Sequence, residues 1–168
     1  ADDYIDELKK AHVIVSFDER QAVIRDQINA LNTSKAQAVI DYPDSLINEV
    51  TALVEWPHLI VGEFDDSFLS VPSECLIYSM RDHQKYFHYI DEKGALVNRF
   101  ATISNIDSSD PASVKAGNER VLRARLSDAR FFWETDCKTT LAERLPSLDG
   151  VLFHVKLGSV AAKSIRIS

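Results

Sequence analysis

The chain has 168 residues, which suits one domain, and its 45% hydrophobic and 27% charged residues are typical of a globular protein with a core. No apolar run approaches the ~20 residues that a membrane-spanning helix needs. The net charge of −7 opposes strong nucleic-acid binding by the chain as a whole, although a local arginine cluster can still contact RNA inside a larger assembly.

The cysteines and the chain ends indicate a cytoplasmic fragment. Cys75 and Cys137 are far apart and lack metal-ligand spacing, so we expect two buried thiols in a reducing cytosol rather than a disulfide. The acidic N-terminus resembles neither a signal nor a transit peptide. Because the chain begins with Ala1 and stops abruptly after Ser168, we expect a piece of something longer.

The first third of the chain is predicted to be mainly helical. Apolar periodicity predicts helices over residues 2–12, over residues 18–32, and from Ser45 to just before Pro57. Ser45 is the expected N-cap of the third helix. Residues 13–17 are expected to be a strand-like segment or an entry segment, and residues 33–37 a polar linker.

Strands are predicted in the middle of the chain. Residues 58–64 form an apolar run typical of a buried strand, with Gly62 as a possible bulge. A helix is expected over residues 73–82, after Pro72. Two further strands, residues 86–91 and 96–106, are separated by a turn sequence that predicts a hairpin.

The longest predicted helix covers residues 118–136, with a start near residues 108–112 also compatible with the sequence and Gly117 as an interruption. One stripe, flanked by Val121 and Phe132, carries Leu122, Leu126, Ala129 and Trp133, so the aromatic end is expected to anchor a core. A separate face carries Arg120, Arg123, Ser127 and Arg130. That face is either an RNA-contacting surface or an ordinary solvated one.

The end of the chain predicts a short helix over residues 141–145, closed by Pro146, and a strand-like segment over residues 150–157. We therefore expect an α+β fold in which a small mixed or antiparallel sheet packs with several helices, including one long helix in the C-terminal half. The expected domain organisation is a helical segment (1–44), an α+β module (45–159) and a truncated tail (160–168).

No catalytic constellation is recognisable. The five glycines form no phosphate-binding loop or dinucleotide fingerprint, and no serine or cysteine has the context of a nucleophile. His83 and His88 lie close together but lack partners at metal spacing, so no metal site is expected.

Residues 81–87 combine Arg81, His83 and Lys85 with glutamine and aromatic residues at a helix-to-strand junction. Such side chains can grip an RNA backbone and stack on bases. The alternative is a loop whose Tyr86 and Phe87 turn into the core. Two asparagines, Asn105 and Asn118, are expected to be a turn former and a helix cap.

Five long blocks of sequence follow one another: VEWPHLIVGEF (54–64), VPSECLIYSMRDHQKYF (71–87), ATISNIDSSDP (101–111), GNERVLRARLSDARFFWETD (117–136) and LAERLPSLDGVLFHVKLGS (141–159). In this order they resemble one family, the β subunit of the bacterial two-subunit glycyl-tRNA synthetase. Blocks of this length in one order are a specific signal. The tail departs from the pattern: Val160-Ala161-Ala162-Lys163 stands where a tyrosine–aspartate–lysine-like run is expected.

The resemblance implies an aminoacyl-tRNA synthetase that joins glycine to its tRNA using ATP, as an assembly of two α and two β chains. The α chain would hold the class II site, with ATP and Mg, that makes glycyl-adenylate. The β chain would supply tRNA recognition. The fragment itself would need no cofactor, and its partners would be glycine tRNA, the α subunit and other β-chain domains, with neither DNA nor a membrane.

The resemblance also implies an internal position, before the histidine–aspartate-type domain of β and far from its anticodon-binding domain. This region is similar to an editing-type module of phenylalanyl-tRNA synthetase, but no catalytic residue carries over. The predicted tRNA or interdomain contacts are Arg81, His83, Lys85, Arg120, Arg123, Arg125 and Arg130. Arg125, nearer the apolar side of the helix, is expected to be a structural ion-pair partner.

Three functions compete. The first is a noncatalytic tRNA-recognition and scaffolding module. The second is a hydrolase of mischarged tRNA, for which Asp82 and His83 are the only candidates. Because glycine is the smallest amino acid, a pocket can exclude larger ones by size, and the demand for editing is weak. The third is a purely structural module, which the acidic net charge favours.

Overall fold

The computed structural model describes residues 2–33 and 38–168. These residues form two compact units, Ala1–Ala129 (unit 1) and Arg130–Ser168 (unit 2). Most of the predicted linker, residues 34–37, lies outside the described residues. The predicted division at residues 44 and 159 stays a prediction.

Unit 1 is built from helices and a four-stranded sheet, as predicted for an α+β protein. Its elements are α1 (Asp2–Lys10), α2 (Phe17–Thr33), β1 (Ala38–Ile40), α3 (Asp44–Leu53), β2 (His58–Glu63), α4 (Ser73–Tyr78), β3 (Phe87–Asp91), β4 (Leu96–Ser104) and α5 (Pro111–Asp136), which continues into unit 2. A 3-10 helix (Asp66–Ser70) and a π-helical turn (Ser79–His83) flank α4.

The sheet is antiparallel, with the strand order β1-β3-β4-β2, and apolar clusters lie on both of its faces. Ala101 of β4 belongs to a cluster with Ile24 and Ile28 of α2. The preceding residue, Phe100, belongs to a second cluster with Leu122 and Leu126 of α5. Because successive side chains of a strand point to opposite faces, β4 serves both clusters.

The first third of the chain departs from the sequence analysis at three points. Residues 13–16 form no strand, which leaves the alternative of an entry segment before α2, and the Ile14 amide donates to the carbonyl of Glu55 at 3.0 Å. Ser45 is not the N-cap of α3, because the helix begins at Asp44 after Pro43, which makes no side-chain cap. The three residues of β1 were not predicted as a strand.

The long helix begins at Pro111 and continues through Gly117 without interruption. Its start is fixed by Asp110, whose carboxylate accepts from the Ser113 amide at 3.1 Å. The hydrogen bonds from Ser113 hold the pKa of Asp110 below its usual value. The predicted start near residues 108–112 is therefore confirmed, and the alternative start at Asn118 is wrong.

The predicted aromatic anchor of this helix is also wrong. Leu122 and Leu126 are fully buried, whereas Phe131, Phe132 and Trp133 are 62%, 63% and 41% exposed. Periodicity identifies a stripe that needs a partner, but it does not identify the partner. Among the described residues, no helix is long and apolar enough to cross a membrane.

Unit 2 consists of short elements. They are α6 (Leu141–Arg144), a 3-10 helix (Leu145–Gly150), β5 (Leu152–His154), β6 (Gly158–Ser159) and α7 (Val160–Ile167). The predicted strand over residues 150–157 is thus only three residues long. The predicted short helix over residues 141–145 is present as α6, which ends at Arg144, and Pro146 lies in the 3-10 helix that follows it. The expectation of two buried thiols is wrong as well, since Cys75 is half-buried and Cys137 exposed; both are free.

Gly62 makes no bulge, because β2 and β4 pair in unbroken register from His58 to Glu63. Its role is steric. A Cβ atom at Gly62 would lie 2.4 Å from the ring of Phe100, which is fully buried. Only glycine leaves room for that ring.

We therefore expect Gly62→Ala to lower the free energy of unfolding by about 1–3 kcal/mol, the usual cost of overpacking a core. The matched control is Gly117→Ala, since a Cβ at helical Gly117 would meet nothing within 4 Å. That variant should gain about 0.5–1 kcal/mol from helix propensity. Urea denaturation of both variants measures the difference, and equal stability of the two would contradict this role for Gly62.

Candidate nucleic-acid interface

The first half of α5 is fixed to unit 1 by both apolar and polar contacts. Leu122 and Leu126 are fully buried. The Tyr86 hydroxyl donates to Asn118 Oδ1 at 2.6 Å, and Asn118 Nδ2 donates to the carbonyl of Val114 at 2.8 Å. Asn118 is therefore an interior helix residue that binds the sheet, and the prediction of a cap is wrong.

Arg120 and Arg123 lie on the outer side of this helix. Both are exposed, and their spacing of three residues makes them neighbours on the helix surface. Arg125 is exposed as well, and it forms no ion pair within the described part of the chain, contrary to the expected structural role. Arg130 is half-buried, makes contacts of its own, and belongs to unit 2.

The other predicted contacts, Arg81, His83 and Lys85, do not converge on one point. Arg81 Nε lies 3.9 Å from Asp82 Oδ2. The ring of His83 packs edge-on against Tyr78, with 4.8 Å between centroids. Lys85 Nζ lies 2.8 Å from Glu49 Oε1 of α3, so this cation is already paired.

The aromatic residues of the same segment are part of the core. Tyr86 and Phe87 are 6% and 0% exposed, which confirms the core alternative for them. Burial raises the pKa of Tyr86 above its usual value. Base stacking on these two rings is therefore excluded in this conformation, and any RNA contact here depends on the charged side chains alone.

His88, which the sequence analysis considered only as a metal ligand, is a buried titratable residue. Its Nε2 lies 3.5 Å from Asp41 Oδ2, and its Nδ1 is buried without a hydrogen-bond partner. Burial lowers the pKa of His88; the Asp41 carboxylate opposes this shift, and the Arg81 guanidinium adds to it. His88 thus lies on the central strand β3, with one ring nitrogen near Asp41 and the other enclosed by the protein.

Asp82 and His83 form no acid–base pair. The Asp82 carboxylate lies nearest Arg81, whereas the His83 ring contacts Tyr78. Among residues 2–33 and 38–168, no group of three His, Cys, Asp or Glu side chains is arranged to hold a metal ion. The exposed feature that remains is the cationic surface of α5, formed by Arg120 and Arg123.

The exposed aromatic residues of α5 were misassigned as core. Phe131, Phe132 and Trp133 are consecutive in the sequence, so at ~100° per residue they cannot all face one partner. Their consecutive positions were the signal in the sequence that this aromatic surface extends around the helix. The rings of Phe131 and Phe132 meet edge-on, with 5.6 Å between centroids.

Comparison with known proteins identifies one family. The model of the family described as glycyl-tRNA synthetase beta subunit matches residues 1–168. The chain is 56% identical over 93% of its length to the glycine–tRNA ligase beta subunit of Psychromonas ingrahamii, and 54% identical over its whole length to that of Colwellia psychrerythraea. It covers 22% and 24% of these relatives, so it spans about a quarter of their length.

The hydrogen bond between Tyr86 and Asn118 predicts a pH-dependent contribution to stability. At pH 7, we expect Tyr86→Phe to lower the free energy of unfolding by about 0.5–1.5 kcal/mol. Because the pKa of Tyr86 is raised in the folded state, this contribution is complete below pH 10 and is lost as pH rises through the raised value. The stabilities of wild type and variant should therefore converge above pH 10.

Urea denaturation between pH 7 and pH 11 measures this convergence. The control is Tyr78→Phe, because Tyr78 is 56% exposed and its hydroxyl should contribute less than about 0.5 kcal/mol. A constant difference between wild type and Tyr86→Phe across the range would contradict the assigned role of the buried phenol.

Proposed function

The chain belongs to the glycyl-tRNA synthetase β-subunit family, and we propose that it is a noncatalytic tRNA-recognition and scaffolding part of a glycine–tRNA ligase. In this proposal, the ligase attaches glycine to its tRNA in the cytoplasm at the expense of ATP. Glycyl-adenylate forms in a partner α subunit, which holds ATP and Mg. The β fragment needs no cofactor, and its partners are glycine tRNA, the α subunit and the rest of the β chain.

The observation that carries the recognition role is the outer surface of α5. Arg120 and Arg123 are exposed neighbours on a helix whose inner side is fixed by buried leucines and by the bond between Tyr86 and Asn118. Fixing the helix limits the entropy lost when its guanidinium groups bind, because the backbone is already ordered. Guanidinium groups bind phosphates bidentately, which suits them to an RNA backbone.

The charge balance supports the scaffolding role. A net charge of −7 does not favour a large RNA footprint, so the proposed contact is local, on the order of two phosphates. The exposed apolar residues of unit 2, among them Leu141, Val155 and Ile165, are instead suited to protein contacts. The separation of Asp82 from His83 gives no support to a role in hydrolysing mischarged tRNA.

The test uses the intact two-subunit enzyme that contains this sequence. We expect Arg120→Gln with Arg123→Gln to weaken glycine-tRNA binding, because two phosphate contacts are lost. The slope of log affinity against log salt concentration should shrink by about one unit per lost contact. Filter binding or fluorescence anisotropy at four salt concentrations measures the slope.

The charge-matched control is Lys93→Gln with Lys138→Gln, which removes the same charge from two other exposed positions. This control should leave the slope unchanged. An unchanged slope in the arginine variant, with the assembly intact by sedimentation, would remove the recognition role and leave the scaffold. An equal decrease in the slope in both variants would indicate a nonspecific effect of net charge.

A further inference from the structure

Unit 2 lacks a core of its own. Every residue of Arg130–Ser168 is described, and none of them is buried. Leu152, Val155 and Ile165 are 68%, 86% and 77% exposed. A unit of about 40 residues normally needs disulfides, a metal or a protein partner to hold a fold. Cys137, the only cysteine of this unit, is a free thiol.

The local structure of unit 2 is defined by polar contacts at the ends of its helices. Thr140 and Glu143 form a capping box at the start of α6. Ser159 Oγ accepts from the Ala162 amide at the start of α7, at 3.1 Å. Arg144 Nη2 lies 3.1 Å from Asp136 Oδ1. These contacts select the backbone conformation, but they remove almost no apolar surface from water.

Part of the apolar surface of unit 2 lines a groove of about 600 Å³ between α7 and the segment that contains α6 and the 3-10 helix. Its apolar lining consists of Ala142, Leu145, Pro146, Leu148, Ala161 and Ile165. Because no side chain of unit 2 is buried, the unit depends on a partner to cover its apolar residues. A groove lined by several elements also selects a partner of complementary shape.

We propose that the sequence of the parent β chain that lies outside this structure covers this groove and completes the core of unit 2. The relatives provide the argument, because this chain spans only 22–24% of their length. Three quarters of a β chain are therefore tethered to unit 2 at high effective concentration. A tethered partner keeps the apolar surface covered at any protein concentration, which an exchangeable subunit does not.

This inference rests on the proposed function only in taking a longer β chain as the parent, and it requires no RNA contact. It differs from docking of the α subunit or of a second copy, because the covering sequence belongs to the same polypeptide. Unit 2 is then one part of a composite domain. The other part comes from β-chain sequence that this structure does not contain.

Hydrogen–deuterium exchange without tRNA distinguishes these partners. Amides of β5 and α7 are measured in the 168-residue chain, in the full-length β chain alone, and in the two-subunit enzyme. We expect exchange in the full-length β chain to be at least a hundredfold slower than in the 168-residue chain. Adding the α subunit should produce no comparable further slowing.

A matched pair of variants of the full-length β chain tests the groove. Ile165 and Leu53 are exposed aliphatic residues in the last turn of α7 and of α3, respectively. Ile165→Asp should therefore accelerate exchange in β5 and α7 at least tenfold, because it places a charge in the covered groove. Leu53→Asp should leave these amides unchanged, although it imposes the same charge at a helix C-terminus.

Equal exchange rates in the 168-residue chain and in the full-length β chain would overturn the proposal. Protection that arises only on addition of the α subunit would assign the groove to that subunit instead. Protection that depends on the concentration of the 168-residue chain would assign it to a second copy. Protection in the β chain alone, with tRNA affinity unaffected by Arg120→Gln and Arg123→Gln, would support this inference while removing the recognition role.

Discussion

The packing of the Phe100 ring over Gly62 is the constraint on which the rest of unit 1 depends. The ring is fully buried, and a Cβ atom at Gly62 would lie 2.4 Å from it. The Tyr86 ring stacks on Phe100, with 5.0 Å between centroids and 13° between planes, and its hydroxyl donates to Asn118 of α5. The side chains of Phe100, Tyr86 and Asn118, together with the space left by Gly62, thus connect β2 to the long helix. These contacts fix the orientation of α5 from the side that faces the sheet. They therefore also determine the direction in which Arg120, on the opposite side of the helix, faces.

Elements with a strong local signal could be predicted from the sequence, and contacts between distant residues could not. Helix α2 and the hairpin of β3 and β4 were predicted because apolar periodicity and turn residues are local properties. The strand β1 was missed, because its three residues are stabilised by pairing with β3, more than 45 residues later. Asn118 has the residue type of a helix cap, and only the start of α5 at Pro111 shows that it lies inside a helix, where its side chain accepts from the Tyr86 hydroxyl.

The candidate site was predicted in part, and the error in that prediction has one physical cause. The separation of an apolar stripe from an arginine face on α5 was predicted from the sequence, and the burial of Leu122 and Leu126 agrees with it. The same periodicity assigned Trp133 to the core, although it is 41% exposed. Hydrophobic periodicity identifies the apolar stripe of a helix, but it does not identify which part of the stripe another element of the chain covers.

The distribution of charge reconciles an acidic chain with a cationic helix surface. Residues 130–168 carry six Lys and Arg against four Asp and Glu, so the remaining 13 and 22 belong to residues 1–129. The acidic excess thus lies entirely before residue 130. At physiological ionic strength the Debye length is about 8 Å, so exposed carboxylates much farther than this from Arg120 or Arg123 scarcely change the potential there. Nearby acidic residues matter more, and on α5 Glu119 directly precedes Arg120 and lies four residues before Arg123. Its carboxylate is already engaged, because it lies 3.6 Å from Lys115 Nζ and accepts from the Glu63 amide at 2.9 Å. Net charge therefore limits how many phosphates the surface can hold, but it does not prevent a contact confined to two adjacent guanidinium groups.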